Sequence, residues 1–318
     1  MLLKRSAVAL GLALLLVSSA ALLFAPYALP ELHFLSARYD IITPSTPALA
    51  KGHMVDDYWA VQEIGPGTFA IGEPRYYQQN YSYLILGDKR ALLFDAGSGT
   101  RDMRGVVAAL THLPLTLMVS HLHYDHLGGA AYFGQLTLAD FPKLRAEVSG
   151  EEFVPGRYEY LGMFDDLAAP RLRVVAWQPL GSTIDLGARN IEVIAAPGHT
   201  STSIVLFDAA THQLFSGDFL YPTTLYAFLP GASRGAYQET AKRLLATLPA
   251  DTTIWSAHCC RAGEAPSAPW LSMNDLRDLN AALEGISSGE SHSKGFFPRT
   301  FAVNSQMTLA TGFSWNNR

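Results

Sequence analysis

Between positions 120 and 129 the chain reads Ser120-His121-Leu122-His123-Tyr124-Asp125-His126-Leu127-Gly128-Gly129, with three imidazoles and one carboxylate inside six positions. Packing gives no reason for that density, because such groups oppose folding when buried without partners. On an extended segment, side chains two apart share a face, so His121 and His123 can grip one cation from the same side. As the chain turns toward a helix, Asp125 and His126 project in a new direction and can reach a second cation. The two glycines let the backbone bend tightly beside them.

Three further ligand candidates follow, each beside a run of strand character. His199 lies in Ala196-Pro197-Gly198-His199-Thr200, Asp218 in Ser216-Gly217-Asp218, and His258 closes Ile254-Trp255-Ser256-Ala257-His258. Together with the cluster they give five histidines and two carboxylates, enough for two zinc ions with three or four protein ligands each and an open position for water. Imidazole with carboxylate suits Zn2+, Mn2+ or Fe2+, and no thiolate is required, so the residue types leave the metal open. His33, His53, His112, His212 and His292 stand alone and read as ordinary surface or core residues. Cys259 and Cys260 read as small apolar residues rather than ligands.

The elements that must position these groups come in two runs. Ala60 to Ile64, Thr68 to Ile71, Tyr81 to Leu86 and Ala91 to Phe94 have strand character and are separated by turn formers. Arg101 to Leu113 carries apolar residues at helical spacing, and Leu115 to Ser120 is a short apolar strand that stops at a histidine. The second half repeats that organisation in outline, with strands at Arg173–Trp177, Ile191–Ala195, Ser203–Phe207 and Gln213–Ser216 and helices at Ala236–Leu248 and Leu271–Ile286. Strands with helices appended in both halves imply packed sheets covered on the outside, a layered α/β arrangement.

The whole chain has 318 residues, 49% hydrophobic, with 23 Lys+Arg against 28 Asp+Glu and a formal net charge of −5. No basic run lies beyond Lys4-Arg5, so there is no electrostatic footprint for nucleic acid, and the expected partner is a small-molecule substrate. The two cysteines are neighbours, which rarely satisfy disulfide geometry, so no disulfide framework is expected. Lys4-Arg5 precede the apolar stretch Ser6 to Phe24, long enough to span a bilayer as a helix. Residues 1–30 therefore read as a signal-anchor or cleaved signal peptide, and the positive-inside rule sends the rest of the chain across the membrane. The expected place is membrane-anchored with the catalytic domain outside the cytoplasm, or secreted or periplasmic after cleavage. Residues 31–57 read as a linker, 58–286 as the catalytic domain, and 287–318 as a tail that is either a terminal hairpin or loosely held.

His121-Leu122-His123-Tyr124-Asp125-His126 resembles the His-x-His-x-Asp-His signature of the metallo-β-lactamase superfamily, and the resemblance spans about Tyr58 to Ile286. Asp95 in Leu93-Phe94-Asp95-Ala96-Gly97 fits the first motif of that family, His199 the third, Asp218 the fourth and His258 the fifth, in order. The resemblance implies an αββα sandwich of four layers with metals at one edge of the paired sheets. It implies His121, His123 and His199 around one metal, Asp125, His126 and His258 around the other, and Asp218 bridging them together with a hydroxide. Asp125 and Asp218 count as catalytic on this reading, and Asp95 supports a ligand from behind. The implied reaction is attack of a bridging hydroxide on an ester, thioester or lactone carbonyl.

Asp218 also narrows the branch, because β-lactamases of this fold generally carry cysteine or serine near that position. It points to the glyoxalase-II-like, lactonase-like and thioesterase-like hydrolases. The 40 residues from Asp218 to His258 leave no room for the inserted domain of the nuclease branch. β-Lactamase activity, a mononuclear-iron persulfide dioxygenase and a catalytically silent metal-binding protein of the envelope are the alternatives. The aromatic stretch Phe219 to Pro230 is expected to border the substrate, with Tyr221 or Tyr226 as donor to a developing oxyanion.

Overall fold

Six strands, β1 (His53–Met54), β2 (Ala60–Gly65), β3 (Thr68–Gly72), β4 (Tyr81–Leu86), β5 (Ala91–Phe94) and β6 (Leu115–Met118), lie side by side in sequence order. The first five run antiparallel, and β5 pairs with β6 in parallel, which the helix Arg104–Leu110 makes possible by crossing back between them. Next come β7 (Leu136–Ala139), β8 (Glu152–Phe153) and β9 (Leu172–Gln178), a small sheet in the order β7-β9-β8. The second large sheet contains β10 (Thr183–Asp185), β11 (Asn190–Ala195), β12 (Ile204–Asp208) and β13 (Gln213–Phe215). The chain leaves that sheet for β14 (Thr224–Ala227) and the helix Arg234–Thr247, then returns as β15 (Thr253–Trp255), parallel to β13, and β16 (Trp270–Ser272). After the helix Met273–Ser288, β17 (Arg299–Ala302) and β18 (Thr308–Thr311) form a hairpin whose second strand pairs in parallel with β14. The structure is a computed structural model and describes residues 28–29, 41–43, 45, 47–260 and 264–313.

Period-two alternation divides the core into layers. Tyr83, Ile85, Leu92 and Phe94 of the first sheet meet Ile191, Val193, Ile204, Leu206 and Phe215 of the second in one buried cluster between the sheets. Their neighbours Leu84, Leu93 and Leu117 face the other way and pack under Val106 and Val107 of the first helix and Leu127. Val205, Leu214 and Ile254 face outward from the second sheet onto Tyr237, Ala241, Leu244, Leu276 and Leu279 of the two long helices. The result is four layers, helix, sheet, sheet and helix. The helix Met273–Ser288 starts where Ser272 and Asp275 form a reciprocal cap and ends at Gly289, whose φ of +82° suits a residue without Cβ.

At the edge of the sandwich where β4 turns back from β5, Arg189 closes the gap between the sheets. Its guanidinium pairs with buried Asp208 (Nη2 to Oδ2 2.7 Å), and it donates to Thr68 Oγ1 at 2.7 Å and to Leu86 O at 3.1 Å. The pair is almost wholly buried, with side-chain exposures of 9% and 0%.

Regions outside the long strands are packed onto the domain at both ends of the described chain. Of residues 31–57, expected as a linker, the described part lies on the domain: Ile42 bridges Tyr76, Thr43 N donates to Arg75 O, and His53–Met54 extends the first sheet. Of the two forms expected for the end of the chain, the hairpin is present, and it belongs to the core, since Phe301, Met307 and Leu309 are buried. Among the described residues no helix is long and apolar enough to cross a membrane, and the apolar segment Ser6 to Phe24 lies outside them.

Replacing Arg189 with alanine would leave the buried Asp208 carboxylate without its counter-charge, held only by Ala210 N and Thr211 Oγ1. Breaking a buried pair from one side costs about 3–5 kcal/mol, so urea unfolding of Arg189→Ala should show a loss of that order. A loss below about 1 kcal/mol would mean that water reaches the pair.

Candidate metal centre

Every candidate ligand lies just beyond the carboxyl end of a strand. Asp95 follows β5, His121 follows β6 by three residues, His199 follows β11, Asp218 follows β13 and His258 follows β15. The two parallel pairs, β5 with β6 and β13 with β15, aim their carboxyl ends at the same edge of the sandwich, the usual place for a site in an open α/β sheet. The sheets are joined there by Tyr81 N to Ala257 O at 2.7 Å, by the bridge of Asn80 with His258 and by Tyr83 Oη to Ser256 O at 2.5 Å.

Seven side chains converge in two sets: His121, His123 and His199, and Asp125, His126, Asp218 and His258. All seven are buried. In the first set, His123 Nδ1 lies 2.8 Å from His121 Nε2 and 3.0 Å from His199 Nε2. In the second, His126 Nε2 lies 3.3 Å from Asp125 Oδ2 and 3.2 Å from Asp218 Oδ1, and His258 Nε2 lies 3.4 Å and 3.1 Å from the same two oxygens. Asp218 belongs to both, since its Oδ2 also lies 3.5 Å from His199 Nε2.

The far nitrogen of four of the five imidazoles is held by an acceptor. His121 Nδ1 meets Ser120 Oγ at 3.0 Å, whose own proton goes to Asp95. His126 Nδ1 meets Asp95 Oδ2 at 2.9 Å, His199 Nδ1 meets Tyr226 O at 2.9 Å, and His258 Nδ1 meets Gln78 O at 3.3 Å. A proton held on each Nδ1 leaves each Nε2 lone pair turned into the cluster, the usual way a protein fixes the tautomer of a metal-ligating histidine. His123 is reversed, with Nδ1 facing inward.

The donor set fits two divalent cations. His126 Nε2 and Asp218 Oδ1 are buried side-chain atoms with no hydrogen-bond partner, although each has acceptors or imidazoles around it. Orphaned polar atoms in the interior are rare and call for an occupant. Electrostatics separates the two halves. Burial and the neighbouring imidazoles hold His121 well below its ordinary pKa and push His123 down to about 3, so these rings are neutral. Around His126, burial lowers the imidazolium, but Asp125, Asp218 and Asp95 override it and raise the group well above its ordinary value. The first half offers neutral nitrogen donors and the second is anionic and draws positive charge.

Asp95 is shaped by its place. Its φ is +68°, and its carboxylate takes Ser120 N at 2.6 Å, Ser120 Oγ at 3.0 Å and His126 Nδ1, so it braces both ends of the histidine loop. Gly217 is required for contact: at φ +50° a Cβ there would stand 2.5 Å from Ser120 Cβ.

The Tyr221 hydroxyl stands differently from expectation. It donates to Thr224 O at 2.7 Å, so its single proton is committed to the backbone and not to an oxyanion. Its ring packs edge-on to His258, 5.2 Å between centroids, which makes it a wall of the site. Tyr226 meets the site through its backbone carbonyl on His199. Cys259 and Cys260 stand side by side at a turn where Cys260 has φ +68°. A bridge between neighbours would close no loop of chain and tie no two elements together.

Sequence reasoning missed Glu73 and Asn80, which carry no metal-ligand spacing to reveal them. Asn80 Nδ2 holds Asp125 O at 2.7 Å. The Glu73 carboxyl is buried and accepts from Tyr58 Oη at 2.8 Å, Ser98 Oγ at 2.7 Å and Ser98 N at 3.0 Å, so it fixes the loop that follows Asp95. Burial raises Glu73 from 4.5 to about 7 against the pull of these donors. A carboxyl raised on folding favours the protonated native state, so its contribution is complete below about 4.5 and is lost as pH rises through about 7. The stability of the wild type relative to Glu73→Gln should therefore fall by up to about 3 kcal/mol between about pH 5 and about pH 8 in urea titrations. A difference that stays constant across that window would remove the assignment.

A family model described as the metallo-beta-lactamase superfamily matches residues 75–258. The acyl-coenzyme A thioesterase MBLAC2 of Gallus gallus is 28% identical over 215 residues, covering 59% of this chain and 76% of the relative. The hydroxyacylglutathione hydrolase of Albidiferax ferrireducens is 30% identical over 188 residues, covering 57% of this chain and 63% of the relative. Among solved structures, a metallo-beta-lactamase from Pontibacter korlensis matches with a TM-score of 0.53 at 16% identity, covering 71% of this chain and 99% of that one. The BLEG-1 B3 metallo-beta-lactamase matches with a TM-score of 0.51 at 20% identity, covering 66% and 96%. At these identities the structural matches speak for the fold alone. With more than half of its length matched by the family model, and with both metal-ligand sets converging at one sheet edge, this chain belongs to the metallo-β-lactamase superfamily.

Proposed function

We propose that the protein is a metal-dependent hydrolase, dizinc in its working form, that cleaves a thioester, ester or lactone bond. One observation carries the reading: a carboxylate, Asp218, stands where its two oxygens reach both ligand sets, 3.5 Å from His199 and 3.2 Å from His126. The named thioesterase and glutathione-thioester hydrolase relatives support it.

Divalent cations held by His121, His123, His199, Asp125, His126, Asp218 and His258 would supply Lewis acidity and would lower the pKa of a water toward neutrality. The chain does the rest. Asp218 holds the two sets at a fixed spacing, and its carboxylate is kept ionised because His258 and His126 outweigh its burial. Asp125 is held ionised in the same way by His126 and His258, and its backbone carbonyl is pinned by Asn80. Both carboxylates are thus unprotonated acceptors at neutral pH, able to orient an attacking water by its proton. Asp95 keeps His126 Nδ1 protonated, so that ring cannot turn away. Tyr221, Phe219 and Leu220, all buried, form a dry wall after Asp218 that raises the strength of every charge interaction in the cleft.

Protein purified with zinc should hydrolyse acyl thioesters or lactones, and a chelator should abolish turnover until zinc, manganese or iron is restored. Metal bound without turnover of any thioester, ester or lactone would overturn the reading. Hydrolysis of nitrocefin alone would replace it with a β-lactamase, and oxidation of a persulfide with a single iron bound would replace it with a dioxygenase.

We further place the catalytic domain outside the cytoplasm, on the strength of Lys4-Arg5 followed by the apolar run to Phe24. Mass analysis of the N-terminus and protease treatment of intact cells check this. A domain protected from external protease in spheroplasts would contradict it.

A further inference from the structure

The segment between β7 and β9 lines a cavity of about 230 Å³ beside His123 with Lys143, Tyr158 and Glu159. Further on it makes one short 3-10 turn, Gly162–Phe164, and then carries a carboxyl group inward at Asp165, which is only 7% exposed. Asp165 belongs to neither ligand set. A buried carboxyl group needs donors, and Asp165 finds them in the loop between β3 and β4. Tyr76 Oη donates to its Oδ2, and Tyr77 Oη donates to its Oδ1 at 3.0 Å.

Those two bonds set the direction of the next ones. With its one proton given to Asp165, Tyr77 Oη serves as acceptor for Tyr124 Oη at 2.9 Å and Gln78 Nε2 at 2.8 Å. The Gln78 amide also reaches Tyr124 Oη, at 2.6 Å. The side chain of Gln78 is thereby held by two hydroxyls, while its backbone carbonyl is the acceptor for His258 Nδ1 at 3.3 Å. A continuous path runs from Asp165 through Tyr77 and Gln78 to a ligand of the second set. The same loop touches that set again through Asn80 on Asp125 O, and Gln79 O takes Cys259 N at 3.3 Å. Gln79 has φ +49°, a conformation that a residue other than glycine keeps only when its surroundings impose it. The first set is braced elsewhere, by Ser120 Oγ and by Tyr226 O.

We propose that Asp165 is a positioning residue for the second cation, acting through Tyr77 and Gln78 to fix the carbonyl that aims His258 into the cluster. This rests on the part of the hydrolase reading that gives the site two cations, and not on which bond the protein cleaves. An imidazole whose outer N–H loses a fixed acceptor turns more freely and presents its inner lone pair less of the time. Loss of such an outer partner costs about 10–100-fold in metal affinity. Asparagine at position 165 has one acceptor oxygen where the carboxylate has two, so one of the two tyrosine hydroxyls would have to turn away.

Zinc binding to the metal-free full-length protein, titrated against a chromophoric chelator, tests this without any substrate. The wild type should take two zinc ions in two steps, and His258→Ala should weaken one of them and so mark the step that belongs to the second set. Asp165→Asn should weaken that same step about tenfold and leave the other within about twofold. Tyr77→Phe, which removes a single hydroxyl, should act in the same way, and it decides the matter if Asp165→Asn does not fold. The double variant should lose no more than the larger single loss, because both changes cut one path. Equal weakening of both steps in these variants overturns the inference, since that is what a general loosening of the fold would give. So does an unchanged second-set step, and so do losses that multiply in the double variant. If the wild type binds one zinc and His258→Ala leaves it unaffected, the two-cation reading falls and the inference with it. If both steps behave as expected but no thioester, ester or lactone is hydrolysed, the hydrolase reading falls while the role of Asp165 stands.

Discussion

Two carboxylates and five imidazoles buried within a few ångströms of one another set the terms for the rest of this molecule. Such groups are costly in a dry interior unless positive charge compensates them, and no lysine or arginine is among them. The interaction that makes the arrangement tolerable is ligation of cations, and the surroundings are organised to keep the lone pairs aimed at one place. The two halves are not equivalent. The set of three histidines is uncharged, whereas the set containing Asp125 and Asp218 is anionic and pulls His126 and His258 toward their charged forms. A cation replaces those protons, so loading the second half exchanges one kind of positive charge for another.

The sheet architecture supplies the aim. Antiparallel strands alone would send successive strand ends to opposite edges. The two helical crossovers, Arg104–Leu110 and the longer Arg234–Thr247, make two strand pairs parallel and so bring the ends of β5, β6, β13 and β15 to one side. His199 joins them from the end of β11 because β11 also points that way. Close approach completes the work, and Gly217 against Ser120 shows how little room remains where the two sheets bring their loops together.

Much of this is legible in the sequence, for stated physical reasons. The His121 to His126 run can be read because its residue types have no packing use, and the strands β4 and β5 because apolar residues of alternating destination stop at turn formers. The helix expected over Arg101–Leu113 is shorter, Arg104–Leu110, since Met103 serves as its N-cap and Thr111 turns extended. Leu136–Ala139 and Thr224–Ala227 carry no strand signal of their own: four residues give too short a period, and their partners, β9 and β18, are far away in the chain. Glu73 escaped because a single glutamate after a strand carries no spacing, and its importance comes from Tyr58 and Ser98, which fold around it. The Tyr221 hydroxyl looked available in sequence, but a carbonyl only three residues on takes its proton.

Arg189 and Asp208 stand at the edge of the sandwich opposite the ligands, binding Thr68 and Leu86 of the first sheet to β12 of the second. Together with the contacts from Tyr81 and Tyr83 to the chain before His258, they fasten the two sheets at both ends. A box latched on two opposite sides resists hinging, so the reactive frame behaves as a fixed anvil. The part of the segment between β7 and β9 that carries Lys143 and Glu159 to the cavity beside His123 is left alone by both latches and is free to vary without disturbing the frame. Selection can rewrite what this enzyme accepts there without loosening what it does.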